Sequence, residues 1–252
     1  MFWDKAKASC AMFALAAGVF AMPVAAQAGV VVKSSGPSSG TYPVGRQVGD
    51  TATITLRAGD RITVLTDEGT RVMQGPGTFR VGEGATRTQA RFSNLTRTRA
   101  ARRVRTGAVR GADIGPTRNP NLWYVNVAAP GNVCLLDLDA VRLWRPEAET
   151  AQTYSIVDQA NDTAVEVPFV ETEAVRALDP EGIAIRESAE YTIRGPIMEG
   201  ESGERPDVSV RFVTLDPEND YTSPAMLAAT LHENGCSTQL ELLADTLEDS
   251  TE

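Results

Sequence analysis

Few residues in this chain are of types that do covalent or metal chemistry. Its 252 residues include one histidine, His232, and three cysteines, Cys10, Cys134 and Cys236. A zinc finger, a multi-histidine metal centre and an iron–sulfur cluster all need more ligands than these. His232 falls near the end of a candidate helix among polar neighbours, where a helix C-terminus favours a cation. A catalytic triad needs an activated nucleophile beside it. Lys33, in a Gly/Ser-rich opening, is a poor base for a Ser–Lys dyad, and no phosphate-binding glycine loop of the P-loop or dinucleotide type is present. Acid pairs remain: Glu171 with Glu173, and Asp216 with Glu218 and Asp220. Two carboxylates across a cleft could hydrolyse envelope carbohydrate, and the second cluster could hold calcium, although it lacks the EF-hand glycine and terminal glutamate spacing. A solvated acidic loop is the plainer reading of both. The sequence therefore predicts no catalytic residue, no metal and no cofactor, with an acid-pair hydrolase as the alternative.

The N-terminal residues read as an export signal. Lys5 and Lys7 flank an apolar run over residues 8–22, Pro23 follows, and Ala26-Gln27-Ala28 places small residues where a signal peptidase reads them. The run is short beside the roughly 20 residues of a membrane span. Cleavage after Ala28 is expected, with a periplasmic or secreted product that has no transmembrane helix. Removal of residues 1–28 also removes Cys10. Cys134 and Cys236 then form an even pair, which in an exported chain predicts a disulfide. Closing a loop of ~100 residues contributes roughly 4–5 kcal/mol by the chain-entropy argument.

The net charge of −9 conceals a segregation. Residues 87–118 hold nine arginines against one aspartate, and residues 147–252 hold 24 acids against five arginines. The basic run admits a solvated linker, an anion-binding arm for acidic lipid or polysaccharide, or nucleic-acid binding. Export argues against nucleic acid, and Phe92 alone interleaves with the arginines, so no base-stacking platform is present. Arg97, Arg99, Arg102, Arg103, Arg105 and Arg110 are the candidate anion-binding residues, for an anionic envelope surface or an envelope protein.

The elements that must carry these residues are mainly β. Val30-Val31-Val32 starts a strand, and residues 51–56, 61–65, 70–73 and 78–81 alternate with period two between Gly-containing turns, which predicts a meander or small barrel-like domain over residues 29–84. Residues 85–120 form an arginine-rich connector, in part helical around Ala100-Ala101. Runs at 122–127, 133–136, 141–144, 153–157, 164–170, 183–187, 190–194 and 208–215 predict a β-sandwich-like domain over 121–218, with a hairpin turn at 128–132 and Trp123, Tyr124 and Trp144 in its core. Residues 219–252 change period: Ser223 caps a helix, Pro224 takes its first position, Leu227, Ala228 and Leu231 share a face, and Gly235 stops it. Ser237 opens a second helix bearing Leu240, Leu243 and Leu247. A Cys134–Cys236 bond would staple this helical hairpin to the sandwich.

The stretch Tyr42-Pro43-Val44-Gly45-Arg46, then Ala58-Gly59-Asp60-Arg61-Ile62-Thr63-Val64-Leu65 and Gly69-Thr70-Arg71-Val72, resembles the FecR-like periplasmic domain, whose hairpins share this Gly-Asp-x-Ile-x-Val rhythm. Gly75-Pro76-Gly77-Thr78-Phe79 extends it in a manner similar to exported alphaproteobacterial proteins. The resemblance runs from Tyr42 to Phe79. It implies a β-rich envelope module without catalytic residues. The function expected is that of an exported, non-catalytic binding or signalling-associated module.

Overall fold

The computed structural model describes residues 27–97, 118–196, 207–219 and 221–248, and among them the chain is mainly β. The expected signal lies outside the described residues except for Gln27 and Ala28, which open the first strand.

Period-two alternation builds the N-terminal strands β1 (Gln27–Ser35), β2 (Gln47–Gly49), β3 (Thr53–Leu56), β4 (Arg61–Thr66), β5 (Thr70–Gln74) and β6 (Gly77–Arg80). The four runs expected between residues 51 and 81 are all strands. They do not pair in sequence order: β2-β1-β4-β5 form one antiparallel sheet, and β3 pairs with β6 around the β4–β5 hairpin. No closed barrel is formed among the described residues. The nesting follows from burial. Ile54 and Leu56 on β3 pack with Val31, Ile62, Val64 and Met73, so the β3–β6 ribbon covers one face of the sheet. The other face, with Val30, Val32 and Leu65, meets the helices. Covered on both faces, β4 is buried from Ile62 to Thr66, threonines included. The turn before β4 is fixed by Asp60, whose carboxylate accepts from the backbone N–H of Arg57 (2.5 Å) and Ser38 (2.8 Å). Gly36 lies against this turn with φ +95°, where a Cβ would come within 2.5 Å of the Gly59 carbonyl oxygen.

A second set of strands makes two facing sheets. β7 (Tyr124–Asn126), β9 (Arg142–Trp144) and β12 (Val175–Ala177) form one in the order β12-β9-β7. β8 (Gly131–Leu135), β10 (Gln152–Asp158), β11 (Thr163–Phe169), β13 (Glu190–Arg194) and β14 (Val208–Thr214) form the other, in the order β11-β10-β13-β14-β8. Their shared core contains the edge-to-face pairs Tyr154–Phe169 and Tyr191–Phe212. Trp144 is buried, whereas Trp123 and Tyr124 are only half-buried, because both lie at the margin of the sandwich.

Two local expectations are corrected. The 128–132 turn does not make a hairpin: β7 pairs in parallel with β9, and β8 in parallel with β14. Asn126 accepts from the Ala128 N–H and redirects the chain into the opposite sheet. Residues 183–187 are not a strand. Their backbone is satisfied by a side chain instead, since the Arg186 N–H donates to the Tyr191 hydroxyl, which donates to the Ala184 carbonyl.

Helix α1 (Gln89–Leu95) lies at the start of the basic run, and α2 (Pro224–Glu233) and α3 (Ser237–Glu248) form the expected C-terminal hairpin. Ser223 Oγ accepts from the Met226 N–H, Pro224 follows it, and Gly235 takes φ +69° after the helix end. Leu227, Ala228, Leu231, Leu240, Leu243 and Leu247 join Val30, Val32, Leu65, Phe92, Leu122 and Cys134 in one hydrophobic cluster. The hairpin is thus packed between the N-terminal sheet and strand β8.

Candidate functional site

Residues 95–97 and 121–123, which flank the stretch of the basic run outside the described residues, are joined. The Leu122 N–H donates to the Leu95 carbonyl (2.9 Å). The Trp123 indole N–H donates to the Thr96 carbonyl (2.7 Å), and Asn121 Nδ2 to the Arg97 carbonyl (3.0 Å). Asn121 Oδ1 accepts from the Trp123 N–H, while Asn119 accepts from the Asn121 N–H and donates to the Tyr124 carbonyl. The Asn-Pro-Asn sequence at 119–121 gives such Asx-type turns their chemistry. The residues that flank 98–117 therefore meet beside α1 and β7. Arg97 is exposed and donates to Asn94 Oδ1 (3.0 Å), and Arg87, Arg91 and Arg118 are also exposed. Arg99, Arg102, Arg103, Arg105, Arg110 and the Ala100-Ala101 pair lie outside the described residues.

Next to this root, Cys134 on β8 and Cys236 before α3 stand at disulfide-bonding distance, with Cα atoms 5.9 Å apart and a sequence separation of 102. Both are fully buried. The side chain of Gln239, 5% exposed, finishes the same corner. Its Oε1 accepts from the Cys134 N–H (2.7 Å), and its Nε2 donates to the carbonyls of Cys134 (2.8 Å) and Leu122 (2.9 Å). One amide thus does for the free edge of β8 what a neighbouring strand would do. No local sequence signal marks it.

Lys33 lies within β1 rather than in a loose opening. Its Nζ contacts Asp245 and Glu248 of α3, the latter at 2.8 Å, and Arg61 Nη2 of β4 meets Glu248 at 2.5 Å. Burial lowers the Lys33 pKa, but the two carboxylates outweigh it and hold the ammonium above its ordinary value. Burial pushes the carboxyls of Glu248, Asp60 and Asp158 up, and hydrogen bonds reverse this in each case. The donors are Lys33 and Arg61 for Glu248, Ser38 and Arg57 for Asp60, and Asn161 and Arg186 for Asp158. Glu190 is held low by Ser209 and Arg211. Each of these shifts is downward, the direction of a structural anion and opposite to that of a general acid.

The acid pairs serve their own loops. Glu173 accepts from the Val170 N–H and pairs with Arg176 at 2.9 Å, and Asp216 accepts from the Glu218 N–H. Glu171 is exposed, and Asp220 lies outside the described residues. Among the described residues no group of three or more His, Cys, Asp or Glu side chains is arranged to hold a metal ion. His232 is exposed on the last turn of α2, with its ring over Gly45, where a Cβ would come within 2.0 Å of the ring.

A cavity of about 230 Å³ opens between β7, the start of β8 and α3, beside the root of the basic run; Trp144 and Gln239 are among the buried residues that line it. Among the described residues no helix is long and apolar enough to cross a membrane. Comparison with family models finds no match for the chain, and comparison with curated proteins finds none either.

Proposed function

We propose that this chain is an exported, non-catalytic binding module of the cell envelope, which holds its arginine-rich segment against an anionic envelope surface. The joined root of that segment carries the reading. Three hydrogen bonds between residues 95–97 and 121–123 hold together the two ends that bracket residues 98–117. Clustered cations then act as a patch, and their attraction to anionic headgroups adds up. The cysteine pair at disulfide distance supports an oxidising compartment. The downward shifts of Asp60, Asp158, Glu190 and Glu248 favour structural over acid–base roles for these carboxylates. The β4–β5 hairpin around Gly69 accords with a FecR-like periplasmic domain.

Co-sedimentation of the mature protein with anionic phosphatidylglycerol vesicles tests the reading. Replacing Arg99, Arg102, Arg103, Arg105 and Arg110 by serine should weaken adhesion more than tenfold, since each basic residue near such a surface contributes about 1 kcal/mol. Adhesion that survives all five replacements would remove the basic segment from the function.

A further inference from the structure

The cavity between β7, β8 and α3 carries polar groups held in place by backbone. Asn126 Oδ1 is held by the Ala128 N–H (3.0 Å), and Asn132 Nδ2 donates to the Asn234 carbonyl (2.8 Å). Each amide is thereby fixed in orientation by backbone. Asn126 Nδ2, Asn132 Oδ1 and the Tyr124 hydroxyl take no partner among the described residues, and all three residues line the cavity. A fixed donor, a fixed acceptor and a hydroxyl around one small space form a pre-organised polar site.

We propose that this cavity binds a single uncharged sugar ring. Its volume of about 230 Å³ lies just below the ~300–1,000 Å³ usual for small-molecule sites, so the occupant is one ring rather than a chain. Arg118, Glu241 and Asp245 on its wall bring charges of both signs, so an ion of either sign meets a like charge there, whereas the buried wall residues Asn119, Val133, Trp144 and Gln239 carry none. A purely apolar occupant would strand the Asn126 donor and the Asn132 acceptor. A sugar ring offers hydroxyls to both amides and an apolar face to the half-buried Tyr124 ring. The site rests on its own geometry and does not require the basic segment to bind anything.

Amide and indole NMR signals of the mature protein, titrated with N-acetylglucosamine and methyl glucoside, test it. Saturable shifts are expected at the side-chain amides of Asn126 and Asn132 and at the Trp144 indole. Asn126→Asp keeps the oxygen that receives the Ala128 N–H but loses the free donor. It should weaken sugar binding at least fivefold, with an unchanged urea midpoint and unchanged vesicle adhesion. No saturable shift in the wild-type protein with either sugar overturns the proposal. So does binding of cyclohexanol or glutamate at the same signals as tightly as the sugars. Either result leaves the vesicle reading standing, because adhesion is measured separately on the same protein.

Discussion

Two side chains, Arg145 and Gln239, close backbone groups that no strand reaches. Arg145 is fully buried, and its guanidinium donates to the carbonyls of Thr150 (2.7 Å), Glu173 (2.8 Å) and Val170 (2.9 Å) while lying 5.0 Å over the Phe169 ring. A planar fork of donors suits several carbonyls at once, which an ammonium cannot match. Gln239 does the same for Cys134 and Leu122. Leaving a buried backbone group unpaired costs about 1–3 kcal/mol. Gln239→Leu should therefore lower the unfolding free energy by at least that much in urea titration, and an unchanged midpoint would show that the β8 edge needs no partner. Neither residue announces itself in the sequence. The partners of Gln239 lie more than a hundred residues away, and those of Arg145 sit in loops with no pattern of their own.

At the scale of elements, the strands and helix ends were legible because their causes are local. Period-two runs gave β3 to β6, and Ser223, Pro224 and Gly235 bounded α2. Pairing was not legible, because β1 chooses β4 and β8 chooses β14 through cores assembled from distant segments. The hairpin α2–α3 is held to its neighbours by two devices, one covalent and one ionic. Replacing Cys134 and Cys236 together by alanine should cost about 2–5 kcal/mol, read as a lower urea midpoint under oxidising conditions; equal midpoints for variant and parent would mean that the pair is not bonded. The ionic device predicts a pH dependence. The folded pKa of Glu248 is depressed, so its contribution is present above the unfolded carboxylate value and is lost as pH falls through the folded one. Asp60, Asp158 and Glu190 add to the same acid limb. Lys33 is raised, so its contribution is complete below its unfolded value of 10.5 and fades as pH rises through the folded one. Glu248→Gln should flatten the fall of the urea midpoint between neutral pH and pH ~3, the acid side of the ordinary carboxylate range. Parallel profiles would assign the acid limb to other groups.

At the scale of the molecule, charge is the organising feature. Nine arginines lie within residues 87–118, and the acidic residues crowd the second half of the chain. The sequence displayed this contrast openly, since charge is read by counting. It did not display the joined ends of that run, because Leu95, Thr96 and Arg97 meet Asn121, Leu122 and Trp123 only through the fold. The candidate sugar cavity was invisible for the same reason: β7, β8 and α3 contribute to it from opposite ends of the second half. If the basic segment acts as proposed, it should bind anionic surfaces with strong salt sensitivity, because exposed charges are screened over about 10 Å at 0.1 M salt. The decisive measurement is co-sedimentation of the mature protein with phosphatidylglycerol vesicles and with neutral phosphatidylcholine vesicles as salt is raised. Adhesion to the anionic vesicles alone, falling steeply with salt, is the predicted result; equal adhesion to both, or adhesion indifferent to salt, would contradict it.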